Sequence, residues 1–310
     1  MAMERILVTG SGGMLGADLW QVLKGRYDLA GLDVAERRGL YGKRFFPCDI
    51  TDGKVVRGAV RAARPAAVIH AAAWADVDAC ESDREKAFAI NGGGTGNVAR
   101  ACAEADSILI YLSTDYVFDG KKDSPYREDD ATRPLSVYGA SKLAGEEAVS
   151  AALEPHAIVR TSWLFGGHGR NFVDTILDKS RVQGELKVVD DQVGSPTYTV
   201  DLAGAIGAFL DIVLGRGGGT SRWPGIYHVS NSGSVSWCGF AREIVRLGKR
   251  EGVRVEPITS EDLARRAPRP TMSVLDTAKF GGFTGVRMRS WQDAVREYIA
   301  GKGTGSSSER

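Results

Sequence analysis

The chain has 310 residues, of which 43% are hydrophobic and 25% are charged, and its 40 basic and 39 acidic residues leave a formal net charge of +1. That balance provides no overall field to attract nucleic acid or an anionic membrane. The apolar runs fall short of the roughly 20 residues that a membrane span requires, and the N-terminus carries no signal-peptide pattern. We therefore expect a cytoplasmic protein with no nucleic-acid or membrane partner.

The first half of the chain alternates short apolar runs with amphipathic stretches. The apolar runs predict strands at 5–10, 27–33, 44–50, 66–73 and 107–113. Helical spacing predicts helices at 13–25, at 52–64 and, across the glycine-rich stretch "NGGGTGN", from Glu81 to Glu104. Each glycine costs a helix about 1 kcal/mol, so we expect these glycines to pack closely against a neighbour or a cofactor. Strands that alternate with helices predict an α/β fold with a Rossmann-like, doubly wound parallel sheet.

Beyond about residue 165 this alternation loosens. Helices are predicted at 171–182, 199–214 and 236–252, short strands at 186–191 and 225–231, and a loop at 215–225. We assign residues 1–165 to a dinucleotide-binding domain, 166–300 mainly to a smaller mixed substrate-binding lobe, and 301–310 to a flexible tail. Part of the later chain is expected to return to the first domain.

The cysteines and histidines indicate no metal site. The four cysteines lie far apart and form no CxxC pair, as expected of buried free thiols in a reducing compartment: Cys48, Cys80, Cys102 and Cys238. The four histidines form neither HxxxH nor HExxH. We therefore predict no bound metal.

A glycine loop follows the first predicted strand. Gly10, Gly13 and Gly16 form G-x-x-G-x-x-G between a strand and a helix. Glycines in this position allow the backbone to approach a pyrophosphate, which lies at the helix N-terminus where N–H groups are unpaired. Asp33 ends the second strand and is suited to the adenosine ribose, and Asp49 ends the third strand, within reach of the adenine amino group.

The same region leaves the choice between NADH and NADPH open. A carboxylate at Asp33 favours the free ribose hydroxyls of NADH. Arg37 and Arg38 follow at once, and either arginine could pair with the 2′-phosphate of NADPH. A solvated loop is the other interpretation of these two arginines.

Three side chains after the fifth strand suit carbonyl reduction. Thr114 ends that strand, and Tyr138 and Lys142 lie four positions apart at the start of a later helix, so that they share one face. Tyr138 would donate a proton to a carbonyl oxygen, and the cationic Lys142 would lower the tyrosine pKa and hold the nicotinamide ribose. Thr114 would hydrogen-bond the developing alkoxide.

With these residues the sequence resembles the extended short-chain dehydrogenase/reductases, and within them the dTDP-4-dehydrorhamnose reductase branch. The resemblance covers about residues 4 to 298 and is carried by "GSGGMLG", "HAAAWADVDACE", "LSTDYVFDG", "VYGASKLAGE", "VRTSWLFG", "DDQVGSPTYTVDLA" and "PRPTMSVLDTAKF". It implies reduction of the C4 keto group of a nucleotide-activated 4-keto-6-deoxy sugar by NADPH or NADH. The partner is then a nucleotide-sugar substrate, and a homodimer is left open.

The resemblance also implies a role for particular residues. Thr114, Tyr138 and Lys142 match the family's catalytic residues. The positions that match its cofactor site are Gly10, Gly13, Met14, Leu15, Gly16, Asp33, Asp49, Ile50, Ala71, Ala72, Ala73, Tyr138 and Lys142. The positions that match its substrate contacts are Asp115, Tyr116, Trp163 and Arg269, with Trp163 walling the sugar pocket and Arg269 near the substrate diphosphate.

Some positions depart from the family, and two other functions are considered. Many relatives carry His-Thr where this chain has Trp74 and Ala75, and alanine where it has Cys80, which bears on the identity of the sugar. Family dehydratases carry a glutamate where this chain has Tyr116, which cannot act as that carboxylate. A sugar-nucleotide epimerase remains an alternative. So does an NADP-binding regulatory subunit of a methionine adenosyltransferase.

Overall fold

The computed structural model describes residues 3–36, 39–215 and 223–304. In chain order the strands are β1 (Arg5–Thr9), β2 (Asp28–Asp33), β3 (Phe45–Pro47), β4 (Ala67–His70), β5 (Ile108–Thr114), β6 (His156–Thr161), β7 (Leu164–Phe165), β8 (Glu185–Val189), β9 (Val193–Gly194), β10 (Thr197–Tyr198), β11 (Gly225–His228), β12 (Val235–Ser236) and β13 (Arg254–Ile258). The helices are α1 (Met14–Leu23), α2 (Gly53–Ala63), α3 (Val77–Ser82), α4 (Arg84–Ala87), α5 (Thr95–Glu104), α6 (Val137–Ala152), α7 (Phe172–Lys179), α8 (Thr199–Val213), α9 (Trp237–Leu247), α10 (Ser260–Leu263), α11 (Ala278–Thr284) and α12 (Trp291–Thr304).

Seven strands form the central sheet, in the order β11-β6-β5-β4-β1-β2-β3. Every neighbouring pair in it is parallel. The chain builds outward from β1 in one direction through β2 and β3, then crosses back to β4 and builds in the other. This order confirms the predicted Rossmann-like, doubly wound sheet, and it places the crevice where ligands bind between the ends of β1 and β4.

Helices cover both faces of this sheet, because successive side chains of a strand point to opposite faces. Ile6 and Val8 of β1 belong to the apolar layer that α1 and α8 complete. Leu7, between them, belongs to the opposite layer, which α2, α5 and α6 complete. Burial on both faces explains why the strands of the first half appear in the sequence as continuous apolar runs.

The predicted helix from Glu81 to Glu104 is wrong as a single helix. The segment contains the end of α3, then α4, a π-helical turn at Phe88–Gly94, and α5. The side chain of Asp83 accepts a hydrogen bond from the Lys86 backbone at 3.0 Å, so it ends one helix and starts the next. In the π-helical turn, Asn91 accepts from the Trp74 backbone at 2.8 Å and donates to Ser141 at 3.0 Å. The widened turn thus directs Asn91 between β4 and α6.

Three later segments return to the first half of the molecule. β11 pairs with β6 at the edge of the central sheet, and α8 and α11 pack on its α1 side, α11 through Phe280. The remaining segments form a smaller lobe with its own apolar cluster, to which α7, β8, α9 and α12 contribute Leu177, Leu186, Phe240 and Val295. α12 continues to Thr304, so the first four residues of the predicted tail are helical. The rest of the tail, 305–310, lies outside the described residues, as does most of the predicted loop, 216–222.

Candidate active site

A cavity of about 460 Å³ lies at the carboxyl ends of β1, β4 and β5, where the smaller lobe meets the sheet. Its walls include most of the residues predicted for catalysis and for substrate binding: Thr114, Asp115, Tyr116, Tyr138, Lys142 and Trp163. A second cavity of about 320 Å³ shares Gly10, Gly13, Ala71 and Ala73 with the first. The two cavities therefore meet at the glycine loop.

The glycine loop has no room for side chains. Gly10 has φ +65°, a left-handed conformation, and a methyl group there would lie 2.7 Å from the backbone nitrogen of Ala72. A methyl group at Gly16 would overlap the carbonyl oxygen of Gly10. Gly13 precedes α1 and has no side chain with which to cap it. The N-terminus of α1 therefore meets the cavity as bare backbone, the arrangement that suits a pyrophosphate.

The second cavity brings together the residues predicted for the adenosine end of a dinucleotide. Asp33, Asp49 and Ile50 all line it. Asp33 also supports the glycine loop, since its Oδ2 accepts from the Gly12 N–H at 2.9 Å. Arg37 and Arg38, the arginines considered for a 2′-phosphate, lie outside the described residues. The glycine loop and these carboxylates fit a dinucleotide cofactor along this edge of the sheet.

Tyr138 and Lys142 reach the cavity from the first turns of α6. Ser136 begins this helix by accepting a hydrogen bond from the Gly139 N–H at 3.2 Å. The ammonium group of Lys142 donates to the Leu112 carbonyl oxygen at 2.7 Å and lies 4.2 Å from the centre of the Tyr111 ring. Thr114, the last residue of β5, lines the same cavity and accepts a hydrogen bond from the Tyr116 backbone N–H at 3.2 Å. The fold thus assembles the predicted catalytic set.

Burial dominates the electrostatics of this set. It raises the pKa of Tyr138, and the neighbouring Thr114 hydroxyl group opposes this change. It lowers the pKa of Lys142 to about 7, although Glu146 opposes this change. The protein alone therefore does not show the expected lowering of the tyrosine pKa, because desolvation of the phenolate is the largest effect on it. Tyr138 stays protonated at neutral pH.

Three of the four predicted substrate contacts, Asp115, Tyr116 and Trp163, line the cavity. Tyr116 meets Tyr138 edge to face, with ring centres 5.8 Å apart. Trp163 has φ +47° and stacks on Trp237 of α9 at 3.5 Å. A non-glycine residue in this conformation costs of order 1–3 kcal/mol, so the surrounding packing must hold Trp163 in place.

Arg269, which is expected near the substrate diphosphate, is paired within the protein. Its guanidinium group pairs with Asp78 at 2.9 Å and donates to the Ala267 carbonyl oxygen at 2.8 Å. It is not among the residues that line the cavity. The strong pairing lowers the pKa of Asp78 to about 2, even though burial opposes it.

Sequence reasoning missed several residues around the cavity. Trp237 and Arg170 line it, and Arg170 forms no ion pair within the described ranges. Below the floor of the cavity, Glu146 binds Arg160 at 2.7 Å and accepts from Ser113 at 2.5 Å, with both charged side chains buried. Glu146 follows Lys142 by one helical turn, and that spacing was the available signal for its position.

Two features are absent from the part of the chain that the structure describes. It contains no group of three or more His, Cys, Asp or Glu side chains placed to hold a metal ion. None of its helices is long and apolar enough to cross a membrane.

Comparison with known proteins gives consistent matches along the chain. The family model described as RmlD substrate binding domain matches residues 3–303. The spore coat polysaccharide biosynthesis protein SpsK of Bacillus subtilis is 40% identical over 297 residues, covering 96% of this chain and 97% of that relative. A dTDP-4-dehydrorhamnose reductase of Streptomyces griseus is 43% identical over 294 residues, covering 94% and 92%. A crystal structure of dTDP-4-dehydrorhamnose reductase from Bacillus anthracis, in complex with NADP, superposes with a TM-score of 0.88 at 36% identity, covering 97% of this chain and all of that one.

Proposed function

The chain belongs to the family described as RmlD substrate binding domain, and on that premise we propose that it is an oxidoreductase that reduces the C4 keto group of a nucleotide-activated 4-keto-6-deoxy sugar. The first substrate to test is dTDP-4-dehydrorhamnose, with dTDP-rhamnose as product. NADPH or NADH is the reductant. The observation that carries this proposal is that Thr114, Tyr138 and Lys142 line one cavity together with the glycine loop.

Each of the three predicted catalytic residues has its own role in the proposed reduction. The dihydronicotinamide supplies the hydride. Tyr138 donates the proton to the carbonyl oxygen, and its raised pKa suits a group that must arrive protonated. Thr114 lines the same cavity, and its hydroxyl group would hydrogen-bond the developing alkoxide. Lys142, held by the Leu112 carbonyl oxygen, lies where it can contact the nicotinamide ribose.

The smaller lobe supplies the wall against which the sugar nucleotide binds. Trp163 and Trp237 provide a rigid aromatic surface on the cavity side, and such surfaces bind sugar faces through dispersion contacts. Asp115 and Tyr116 add polar groups that can orient hydroxyls of the sugar. Ala75 also lines the cavity, at a position where the resemblance implies a departure from the family, so the sugar preference of this chain is to be measured directly.

The deciding experiment is an assay of the purified protein with dTDP-4-dehydrorhamnose and each reductant. We expect loss of absorbance at the dihydronicotinamide band and a reduced dTDP-sugar that NMR identifies at C4. Turnover without added reductant, with NAD retained by the purified protein, would instead indicate an epimerase. Cofactor binding with no turnover of any 4-keto sugar nucleotide, together with co-purification of a methionine adenosyltransferase, would indicate a regulatory subunit.

A further inference from the structure

Trp74 lies on the cofactor side of the site. It follows Ala73 after β4 and lines the cavity of about 320 Å³ that Asp33 and Asp49 also line. It is not among the described residues that line the first cavity, whereas the next residue, Ala75, does line that cavity. The boundary between the two cavities thus passes between neighbours in the chain. The departure from the family at Trp74 therefore concerns the cofactor cavity, and the departure at Ala75 concerns the sugar.

The backbone of Trp74 is fixed at both of its polar groups. Its N–H donates to Oδ1 of Asn91 at 2.8 Å, and its carbonyl oxygen accepts from Nδ2 of Asn91 at 3.1 Å. The same carbonyl oxygen accepts a hydrogen bond from the thiol of Cys80 at 3.4 Å. Asn91 is buried and also donates to Ser141 of α6 at 3.0 Å. Trp74 is therefore held against the helix that carries Tyr138.

The indole ring of Trp74 is partly buried and has defined neighbours. It packs against an apolar cluster formed by Cys80, Ala87 and Val137. The ammonium group of Lys86 lies over the ring, 4.6 Å from its centre, where cation–π attraction operates. These contacts hold a large, flat apolar side chain at the wall of the second cavity.

We propose that Trp74 binds the adenosine half of the dinucleotide cofactor and that its indole ring packs against the adenine. This inference rests on the proposed function and deepens it. Among the described residues that line the second cavity, Trp74 alone has an aromatic ring, and the aliphatic walls are Leu32, Val34, Ile50 and Ile90. Aromatic rings bind a nucleotide base through its π-face. Because NADH and NADPH carry the same adenine, this contact should strengthen the binding of both cofactors equally.

Titration with the cofactors and with the adenosine half alone tests this contact. Trp74→Ala should raise the Kd of NADPH, NADH and ADP-ribose by a common factor of about 5- to 150-fold, the range that corresponds to ~1–3 kcal/mol per stacked base. Trp74→Phe keeps an aromatic ring, so its Kd values should rise less. An unchanged Kd for ADP-ribose in a Trp74→Ala protein with the Tm of wild type would overturn the proposal.

Tryptophan emission provides a second measurement, which uses only the milder variant. ADP-ribose carries no dihydronicotinamide that could accept energy from distant rings, so we expect it to change the emission of the wild-type protein through Trp74. Trp74→Phe should abolish this change. The matched control is Trp20→Phe on α1, which should keep it, because Trp20 is not among the described residues that line either cavity. A change that persists undiminished in Trp74→Phe would contradict the contact.

Steady-state kinetics separate cofactor binding from sugar selection. At saturating cofactor, Trp74→Ala and Trp74→His should keep the wild-type KM for dTDP-4-dehydrorhamnose and the same product. A raised KM with an unchanged cofactor Kd would assign Trp74 to the substrate side and overturn the proposal. If no 4-keto sugar nucleotide is turned over, but Trp74→Ala still weakens the binding of ADP-ribose, the proposed function is rejected and the contact with adenosine is supported.

Discussion

The indole rings of Trp163 and Trp237 stack face to face, with centres 3.5 Å apart and planes 5° apart. Trp163 follows β6 and Trp237 begins α9, so the stack joins the central sheet to the smaller lobe along the cavity wall. Gly194 lies directly beneath, where a methyl group would overlap the Trp163 indole. One wall of the cavity and the contact between the lobes are thus the same pair of rings.

Trp163→Ala should raise KM for the sugar nucleotide and leave the Kd of the cofactor nearly unchanged. The reason is that the substitution removes the cavity wall on the substrate side only. Both constants and Tm should be measured on the same preparation, with Trp237→Phe as a control that keeps a ring in the stack. Truncation of a tryptophan in a core costs about 3–5 kcal/mol. A large fall in Tm with unchanged KM would therefore assign Trp163 to packing alone.

Tyr138→Phe should bind the cofactor normally and lose about 10²–10⁴-fold in kcat, the usual contribution of general acid catalysis. The phenyl ring keeps the edge-to-face contact with Tyr116, so the cavity should hold its shape. Cofactor titration and single-turnover kinetics would separate binding from chemistry. Retention of more than about a tenth of the wild-type rate would exclude Tyr138 as the proton donor.

Asp33→Ala should weaken NADH binding more than NADPH binding. A hydrogen bond to a charged group contributes about 1.5–3 kcal/mol, and the carboxylate disfavours a 2′-phosphate that NADH lacks. Because Asp33 also accepts from the Gly12 N–H, Asp33→Asn is the matched control for the loop itself. An equal loss of affinity for NADH and NADPH in Asp33→Ala would mean that this side chain supports the glycine loop but does not bind the ribose.

Glu146→Ala should destabilise the protein strongly, by about 3–5 kcal/mol, because it leaves Arg160 buried without its partner. Glu146→Gln keeps a hydrogen-bond acceptor, so its free energy of unfolding should fall less than that of Glu146→Ala. Glu147, on the next position of α6 and exposed, provides the control through Glu147→Ala, which should change little. Urea unfolding measures all three. A loss in Glu146→Ala no greater than in Glu147→Ala would contradict a structural role for the ion pair.

Lys142→Met should stabilise the protein near pH 7, and the gain should shrink as the pH rises. Lys142 has a pKa of about 7 in the folded protein against about 10.4 in an unfolded chain. Between these values the unfolded chain binds the extra proton, so the free energy of unfolding of wild type rises with pH. Tm should be measured for both proteins from pH 7 to pH 10. A constant Tm difference between the two proteins over this range would show that folding does not lower the pKa of Lys142.

By itself the sequence determined the architecture and the contents of the crevice. Apolar runs alternating with helical patterns predicted the parallel sheet, because strands buried on both faces leave a continuous apolar signature. The glycine loop and the residues at the strand ends, Thr114 among them, could be placed because parallel strands direct their carboxyl ends to one edge. Tyr138 and Lys142 followed from helix periodicity. All of these positions depend on residues that are near in sequence, or on strand ends that a parallel sheet brings to the same edge.

Only the tertiary structure decided which partner each polar group takes. Nothing in the spacing of the chain brings Arg269 to Asp78 or Trp163 to Trp237, because those contacts join segments that topology alone does not align. The broken helix at Phe88–Gly94 depends likewise on Asn91 meeting β4 and α6. The pKa of Tyr138 follows from burial, which is a property of the whole fold. A sequence states which groups are present, but desolvation and pairing are set by the packing around them.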